Sequence, residues 1–103
     1  MSVLLEFSIF PTDKGASVSK YVSNVIAMIR DSGFSYKLTA MGTILETETV
    51  PEALSIVVRA AEILQKDSER FYSSIKLDIR KGKSGRLSGK IQSIEDKIGN
   101  VST

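Results

Sequence analysis

The sequence contains no cysteine and no histidine, and these two absences remove many of the side chains that carry out chemistry in proteins. Without cysteine there is no disulfide, no thiolate metal ligand and no thiol nucleophile. Without histidine the commonest general acid and base and the commonest metal ligand are missing as well. No nucleophile has an evident activating base, so we expect a protein that is not an enzyme and uses no metal or cofactor.

Long apolar runs are also absent. No stretch approaches the roughly 18 apolar residues that a membrane-spanning helix needs. The N-terminal run does not resemble a signal peptide, because Glu6 and Pro11 interrupt it, and we therefore expect a cytoplasmic protein. The chain has 103 residues, of which 42% are hydrophobic and 25% charged. These values predict one globular domain, residues 1–103, with a single modest core.

The net charge of +2 is concentrated in one segment. Between residues 76 and 90 only Asp78 opposes six basic side chains, Lys76, Arg80, Lys81, Lys83, Arg86 and Lys90. A basic field over the whole surface, as nucleic-acid binding requires, is not expected. Glu46 and Glu48, on a predicted strand, would repel phosphate and argue against an RNA-binding sheet. Whether the basic loop 80–86 contacts a ligand stays open.

Hydrophobic periodicity predicts four strands and three helices. Alternation indicates strands at 3–10, 34–39, 43–48 and 72–80, and spacings of three and four indicate helices at about 18–31, from 49, and at 87–98. Ser17 or Ser19 can cap the first helix, and Thr49 with Glu52 forms a capping box for the second. In the second helix we expect the buried stripe to be Leu54, Val57, Val58, Ala61 and Leu64.

The order β-α-β followed by β-α-β predicts an α+β domain of the ferredoxin-like βαββαβ type, with strand order 4-1-3-2 and an additional C-terminal helix. The fourth strand would have a dry face, formed by Ile75, Leu77 and Ile79. The sheet face without helices would carry Leu4, Glu6, Ser8, Phe10, Ile44, Glu46, Lys76, Asp78 and Arg80. Apolar residues there need a cover, which is either the last helix or a second subunit.

The central pair of strands, Tyr36 to Glu48, is the candidate binding region. Glu46 lies on a strand between Thr residues, shortly after Gly42, which lets a ligand approach the backbone. We expect side chains of three strands to form an acidic, hydroxyl-lined recess on the open face, closed by another copy of the chain. The competing interpretation is that Glu46 and Glu6 pair with Lys76 or Arg80 on that face.

Four motifs carry a resemblance to a known family. They are Ile9-Phe10-Pro11, Ser17-x-Ser19-x-Tyr21-Val22, Tyr36-x4-Met41-Gly42-Thr43-x-Leu45-Glu46, and Arg70-x-Tyr72-x3-Lys76-x-Asp78-x-Arg80. With them the chain resembles the short YkoF-like thiamine-binding proteins, formerly grouped as uncharacterised protein family 0045. The resemblance implies a ferredoxin-like fold, assembly into homodimers or homotetramers, and binding of thiamine or its hydroxymethyl-pyrimidine half.

Thiamine joins an aminopyrimidine to a permanently cationic thiazolium, so carboxylates, hydroxyls and aromatic rings suit it. The candidate ligand-binding residues are Glu46, Thr43, Gly42, Met41, Ser19, Glu6, Ser8, Tyr36 and Asp78. The predicted function is a small-molecule binding protein in thiamine supply or sensing. The alternative is a regulatory or structural oligomeric domain with no vitamin ligand.

Overall fold

The computed structural model describes residues 1–103 and has an α+β architecture. The elements in chain order are β1 (Ser2–Pro11), α1 (Ser19–Asp31), β2 (Ser35–Thr39), β3 (Gly42–Thr47), α2 (Val50–Gln65), β4 (Phe71–Arg80) and α3 (Arg86–Ile98). The predicted α+β class and the number of strands and helices are confirmed. None of the helices is both long and apolar enough to span a membrane.

The four strands form one antiparallel sheet in the order β2-β3-β1-β4. β1 lies at its centre, with Leu5 opposite Leu45 of β3 on one side and opposite Leu77 of β4 on the other. β1 and β4 pair along ten residues each, whereas β2 has only five. Beyond Phe7 the sheet therefore consists of β1 and β4 alone, and the strand order leaves the outer edge of β4 unpaired.

Two helices begin in different ways. Thr49 and Glu52 form the predicted capping box of α2, in which each side chain binds the other residue's backbone amide. α1 begins after Val18, and no side chain caps it, so the prediction that Ser17 or Ser19 caps this helix is wrong. The backbone amides of the first turn of α1 therefore donate no hydrogen bond to a capping side chain.

The core lies between α1, α2 and one face of the sheet. It contains odd-numbered residues of β1, Leu45 of β3 and the inward positions of both helices: Val3, Leu5, Phe7, Ile9, Leu45, Val25, Ile29, Ala53, Ile56, Ala60 and Leu64. The predicted stripe of α2 is correct only at Leu64, with Val57 and Ala61 partly buried. Leu54 and Val58 are exposed, because the helix turns Ala53, Ile56 and Ala60 toward the sheet instead.

The helix-side face of β4 is not dry, contrary to the prediction. Ile75, Leu77 and Ile79 are 44%, 36% and 51% exposed, because the two core helices do not extend over this edge strand. On the opposite face of the sheet, which we call the open face, the first turn of α3 packs against Ser2 and Glu46. The far end of α3 leaves the sheet, and Ile98 is exposed.

Candidate functional site

A cavity of about 420 Å³ lies at the turn between β2 and β3, and we call it the hairpin cavity. Its walls come from the end of β1, from α1 and its approach, and from the hairpin: Phe7, Ser8, Ile9, Phe10, Val18, Val22, Val25, Ile26, Leu38, Thr39, Ala40, Met41, Gly42 and Thr43. The volume falls within the range of roughly 300–1,000 Å³ that is usual for small-molecule sites.

The sequence of the hairpin fixes the shape of this cavity. The Thr39 hydroxyl donates to the Gly42 carbonyl at 2.8 Å and accepts from the Met41 amide at 3.2 Å, so it braces the turn from within. Gly42 lies against β1, and a Cβ at this position would be 3.0 Å from the Phe7 carbonyl oxygen. Glycine therefore lets the backbones of β1 and β3 approach closely at the cavity wall.

The chemistry of the hairpin cavity is apolar with a few hydroxyl groups. None of its lining residues is charged, and its polar side chains are those of Ser8, Thr39 and Thr43. Thr43 is only 4% exposed as a residue, and neither its hydroxyl nor that of Ser8 takes part in a hydrogen bond within the chain. No buried side-chain polar atom lacks a hydrogen-bond partner, so both hydroxyls lie at the accessible surface. These two groups are free to donate to or accept from a bound molecule.

The rim of the cavity is also apolar. Met41 is 90% exposed at the tip of the turn, and Leu38 and Phe10 are exposed beside it. The Phe10 ring lies 5.9 Å from that of Tyr72, centroid to centroid, which extends the aromatic surface onto β4. Such rings attract cations through their faces, so a positively charged group leaving the cavity would meet a favourable surface.

Two predicted site residues lie near the cavity without lining it. Ser19 borders a shallower groove along α1, which shares Val22, Ile26 and Leu38 with the hairpin cavity. Tyr36 is partly buried against the core on the helix side of β2, opposite Leu45. The structure thus brings Ser8, Met41, Gly42 and Thr43 together in one wall and leaves these two residues at its periphery.

Glu46 lies at the other end of β3 and anchors α3. Its carboxylate accepts hydrogen bonds from the Ser2 hydroxyl and, at 3.1 Å each, from the backbone amides of Arg86 and Leu87. Burial by itself would raise the pKa of Glu46, but these hydrogen bonds and the Arg86 charge hold the pKa below its usual value. Glu46 therefore caps the N terminus of α3 as an ionised carboxylate.

The remaining predicted carboxylates are engaged on the open face. Glu6 lies 3.8 Å from the Lys76 ammonium, and the Asp78 carboxylate lies 3.0 Å from the Arg86 guanidinium. Glu46 lines a polar recess of about 520 Å³ together with Thr47, Glu48 and Glu52. Thr43 is not part of that recess, because alternation along β3 turns Thr43 toward the helices and Glu46 toward the open face. The pairing of Glu6 with Lys76 agrees with the competing interpretation.

Arg86 and the α1 wall are the features that sequence reasoning missed. The Arg86 side chain is 10% exposed, and its guanidinium also donates to the Ser2 hydroxyl at 3.0 Å and to the Ser2 carbonyl at 2.9 Å. Its position in a loop rich in lysine gave no signal of such burial. Val18, Val22 and Ile26 were assigned to the helix, but only the packing of α1 beside the hairpin makes them cavity walls.

No group of acidic residues could hold a metal ion.

Comparisons with known proteins identify relatives of similar length. The sequence pattern of the family described as thiamine-binding protein matches residues 5–95. A UPF0045 protein of Mycobacterium bovis is 35% identical over 95 residues, covering 92% of this chain and 93% of that protein. A UPF0045 protein of Methanocaldococcus jannaschii is 38% identical over 92 residues, covering 89% of this chain and 91% of that protein.

Solved structures agree with this sequence similarity. The crystal structure of a Methanocaldococcus jannaschii hypothetical protein superposes with a TM-score of 0.81 at 37% identity, covering 92% of this chain and 97% of that one. A Thermotoga maritima protein, provisionally assigned to thiamine biosynthesis or salvage, superposes with a TM-score of 0.79 over 91% of this chain and 99% of its own. Its identity is 19%, so it supports the fold alone.

Proposed function

The chain belongs to the thiamine-binding protein family, and from this premise we propose that it is a non-catalytic protein that binds thiamine or its hydroxymethyl-pyrimidine half in the hairpin cavity. The observation that carries the proposal is an apolar cavity of suitable size whose lining includes the hydroxyl-bearing residues Ser8 and Thr43. We also assign the strand order β2-β3-β1-β4, read from the opposite edge as 4-1-3-2, to the ferredoxin-like arrangement.

The two halves of thiamine fit different parts of the site. The flat aminopyrimidine offers ring-nitrogen acceptors and an amine donor, which match the Thr43 hydroxyl among the apolar residues of the cavity. The thiazolium would emerge at the rim near Phe10, where a cation–π contact replaces the carboxylate expected from the sequence. Glu46, Glu6 and Asp78 have no direct role in this arrangement because each already has a partner within the chain.

Calorimetric titration of thiamine and of hydroxymethyl-pyrimidine into the protein tests this assignment. Thr43→Val keeps the shape of the side chain but removes the hydroxyl, so the affinity should fall by roughly tenfold. Thr43→Ser keeps the hydroxyl and should stay within about threefold of the parent. No heat and no thermal shift with either ligand in the parent protein would contradict the proposal.

The second candidate is an oligomeric domain without a vitamin ligand, and the β4 edge favours it. Ile75, Leu77 and Ile79 form an exposed apolar row on β4, whose outer edge is unpaired, and a second copy of the chain could cover both. We propose that the protein forms a homodimer or homotetramer in either case. Light scattering should show a smaller assembly for Leu77→Glu than for the parent. The thiamine affinity of the parent protein distinguishes the two candidate functions.

A further inference from the structure

Another recess, of about 510 Å³, lies between β4 and α3, and we call it the basic recess. It is lined by Leu4, Asp78, Arg80, Lys83, Ser84, Gly85, Arg86, Gly89, Lys90 and Ser93. Leu4 is the one hydrophobic residue among them. The composition is the reverse of that of the hairpin cavity, which has mostly apolar walls and no charge.

The positive charges of the basic recess are only partly compensated. Asp78 is satisfied by Arg86, with its carboxylate 3.0 Å from one guanidinium nitrogen and its carbonyl oxygen 2.6 Å from another. Arg80, Lys83 and Lys90 form no ion pair and are exposed to the solvent. Three cations therefore surround one recess without an acidic partner, so a small anion entering it would be attracted from several sides.

The amide groups at the start of α3 are not the source of this anion attraction. The amides of Arg86 and Leu87 already donate to Glu46, which also offsets the positive end of the helix dipole. The Ser84 and Ser93 hydroxyls add neutral donors to the recess. Gly85 and Gly89 leave open space, since an added Cβ at either position would meet no atom within 4 Å.

We propose that the basic recess binds a small phosphate-bearing anion, either inorganic phosphate or a phosphate monoester. The dianion of such a group has several acceptor oxygens, which can take hydrogen bonds from lysine, arginine and serine donors at once. A recess of about 510 Å³ leaves space for an organic substituent beside the phosphate. The site is separate from the hairpin cavity, because it borders Leu4 of β1 whereas the hairpin cavity borders the residues from Phe7 to Phe10.

Titration of inorganic phosphate and of methyl phosphate into the full chain, at constant ionic strength, tests the proposal. We expect saturable binding with one site per chain. The double variant Lys83→Gln/Lys90→Gln should weaken it by at least about tenfold, because each lysine supplies a charged donor. The matched control Lys66→Gln/Lys97→Gln removes the same charge at exposed positions outside the recess and should leave the affinity unchanged.

Two results would overturn the proposal. One is the absence of saturable binding of both probes to the parent protein. The other is an equal loss of affinity in the two double variants, which would mean that net charge alone attracts the anion. Lys83 and Lys90 are exposed, so the melting temperature should not change and loss of folding will not obscure the result. Thiamine affinity should be the same in the Lys83→Gln/Lys90→Gln protein as in the parent, so the two sites can fail independently.

Discussion

The two ends of β3 have different environments. At the Gly42 end the strand borders an uncharged cavity with hydroxyl groups in its lining. At the Glu46 end a carboxylate that accepts three hydrogen bonds holds the start of α3. The two ends are only a few residues apart. Alternation turns Thr43 to the helix side and Glu46 to the open face, so they belong to different environments. Polar groups without a hydrogen bond inside the chain are available to a ligand, whereas the Glu46 carboxylate, which has such bonds, stabilises the fold.

Removing the Arg86 side chain should have the largest effect on stability at the Glu46 end of β3. Arg86→Ala eliminates bonds to Ser2 and Asp78 that link α3 to β1 and β4, and we expect a loss of roughly 2–3 kcal/mol in the free energy of unfolding. Urea unfolding measures this loss. The neighbouring Arg80→Ala lacks such partners and should change stability by less than about 0.5 kcal/mol. Equal losses in the two variants would show that Arg86 does not anchor the helix.

Glu46→Gln separates the anchoring role from a ligand-binding role. The amide keeps an acceptor oxygen but loses the charge, so the free energy of unfolding should fall by about 1–2 kcal/mol and the backbone amides of α3 should exchange faster with solvent. Thiamine affinity should not change, in contrast to the expectation from sequence. A large loss of affinity with unchanged amide exchange in α3 would restore Glu46 as a ligand contact.

Gly42→Ala tests the cavity end of β3. The added Cβ would crowd the Phe7 carbonyl oxygen, so we expect stability to fall by about 1 kcal/mol and ligand affinity to fall with it. Gly89→Ala is the matched control, because this helical glycine has open space around it and alanine is the better helix former. It should raise stability by about 0.5–1 kcal/mol and leave thiamine binding unchanged.

Acidification should produce the smallest effect, and of the two ends of β3 only the Glu46 end should respond to it. The pKa of Glu46 is lowered in the folded protein, so its ionised form contributes stability that is complete above the pKa of the unfolded state and is lost as the pH falls through the lowered pKa. Amide exchange in α3 should accelerate over this range in the parent protein and not in Glu46→Gln. Acceleration of equal size in both would assign the effect to other carboxylates.

The secondary structure was largely predictable because each element has its own signal. Alternation in β1 and β4, and the T-x-x-E box at Thr49, are local patterns that long-range packing did not override. The buried side of α2 was not predictable in the same way. Its apolar residues extend around more than half of the helix, so several stripes fit the periodicity, and only contact with the sheet selects Ala53, Ile56 and Ala60.

The candidate site was predicted in part. The Met41-Gly42-Thr43 segment and Ser8 do line a cavity, since a tight turn with glycine leaves space beside a strand end. The carboxylates assigned to the same site lie elsewhere, because each finds a nearer partner: Lys76 for Glu6, and the α3 amides for Glu46. Those partners come from segments distant in the sequence, and no local spacing encodes the pairing.

The sequence by itself determined the order of strands and helices, the lack of cysteine and histidine chemistry, and the family to which the chain belongs, because these depend on composition and on short-range periodicity. The tertiary structure alone decided which polar groups are unengaged. Whether a hydroxyl or carboxylate is available for binding depends on the donors and acceptors that folding brings to it, and here the long-range contacts of β1, β3 and α3 engage Glu46 while leaving Ser8 and Thr43 open to the cavity.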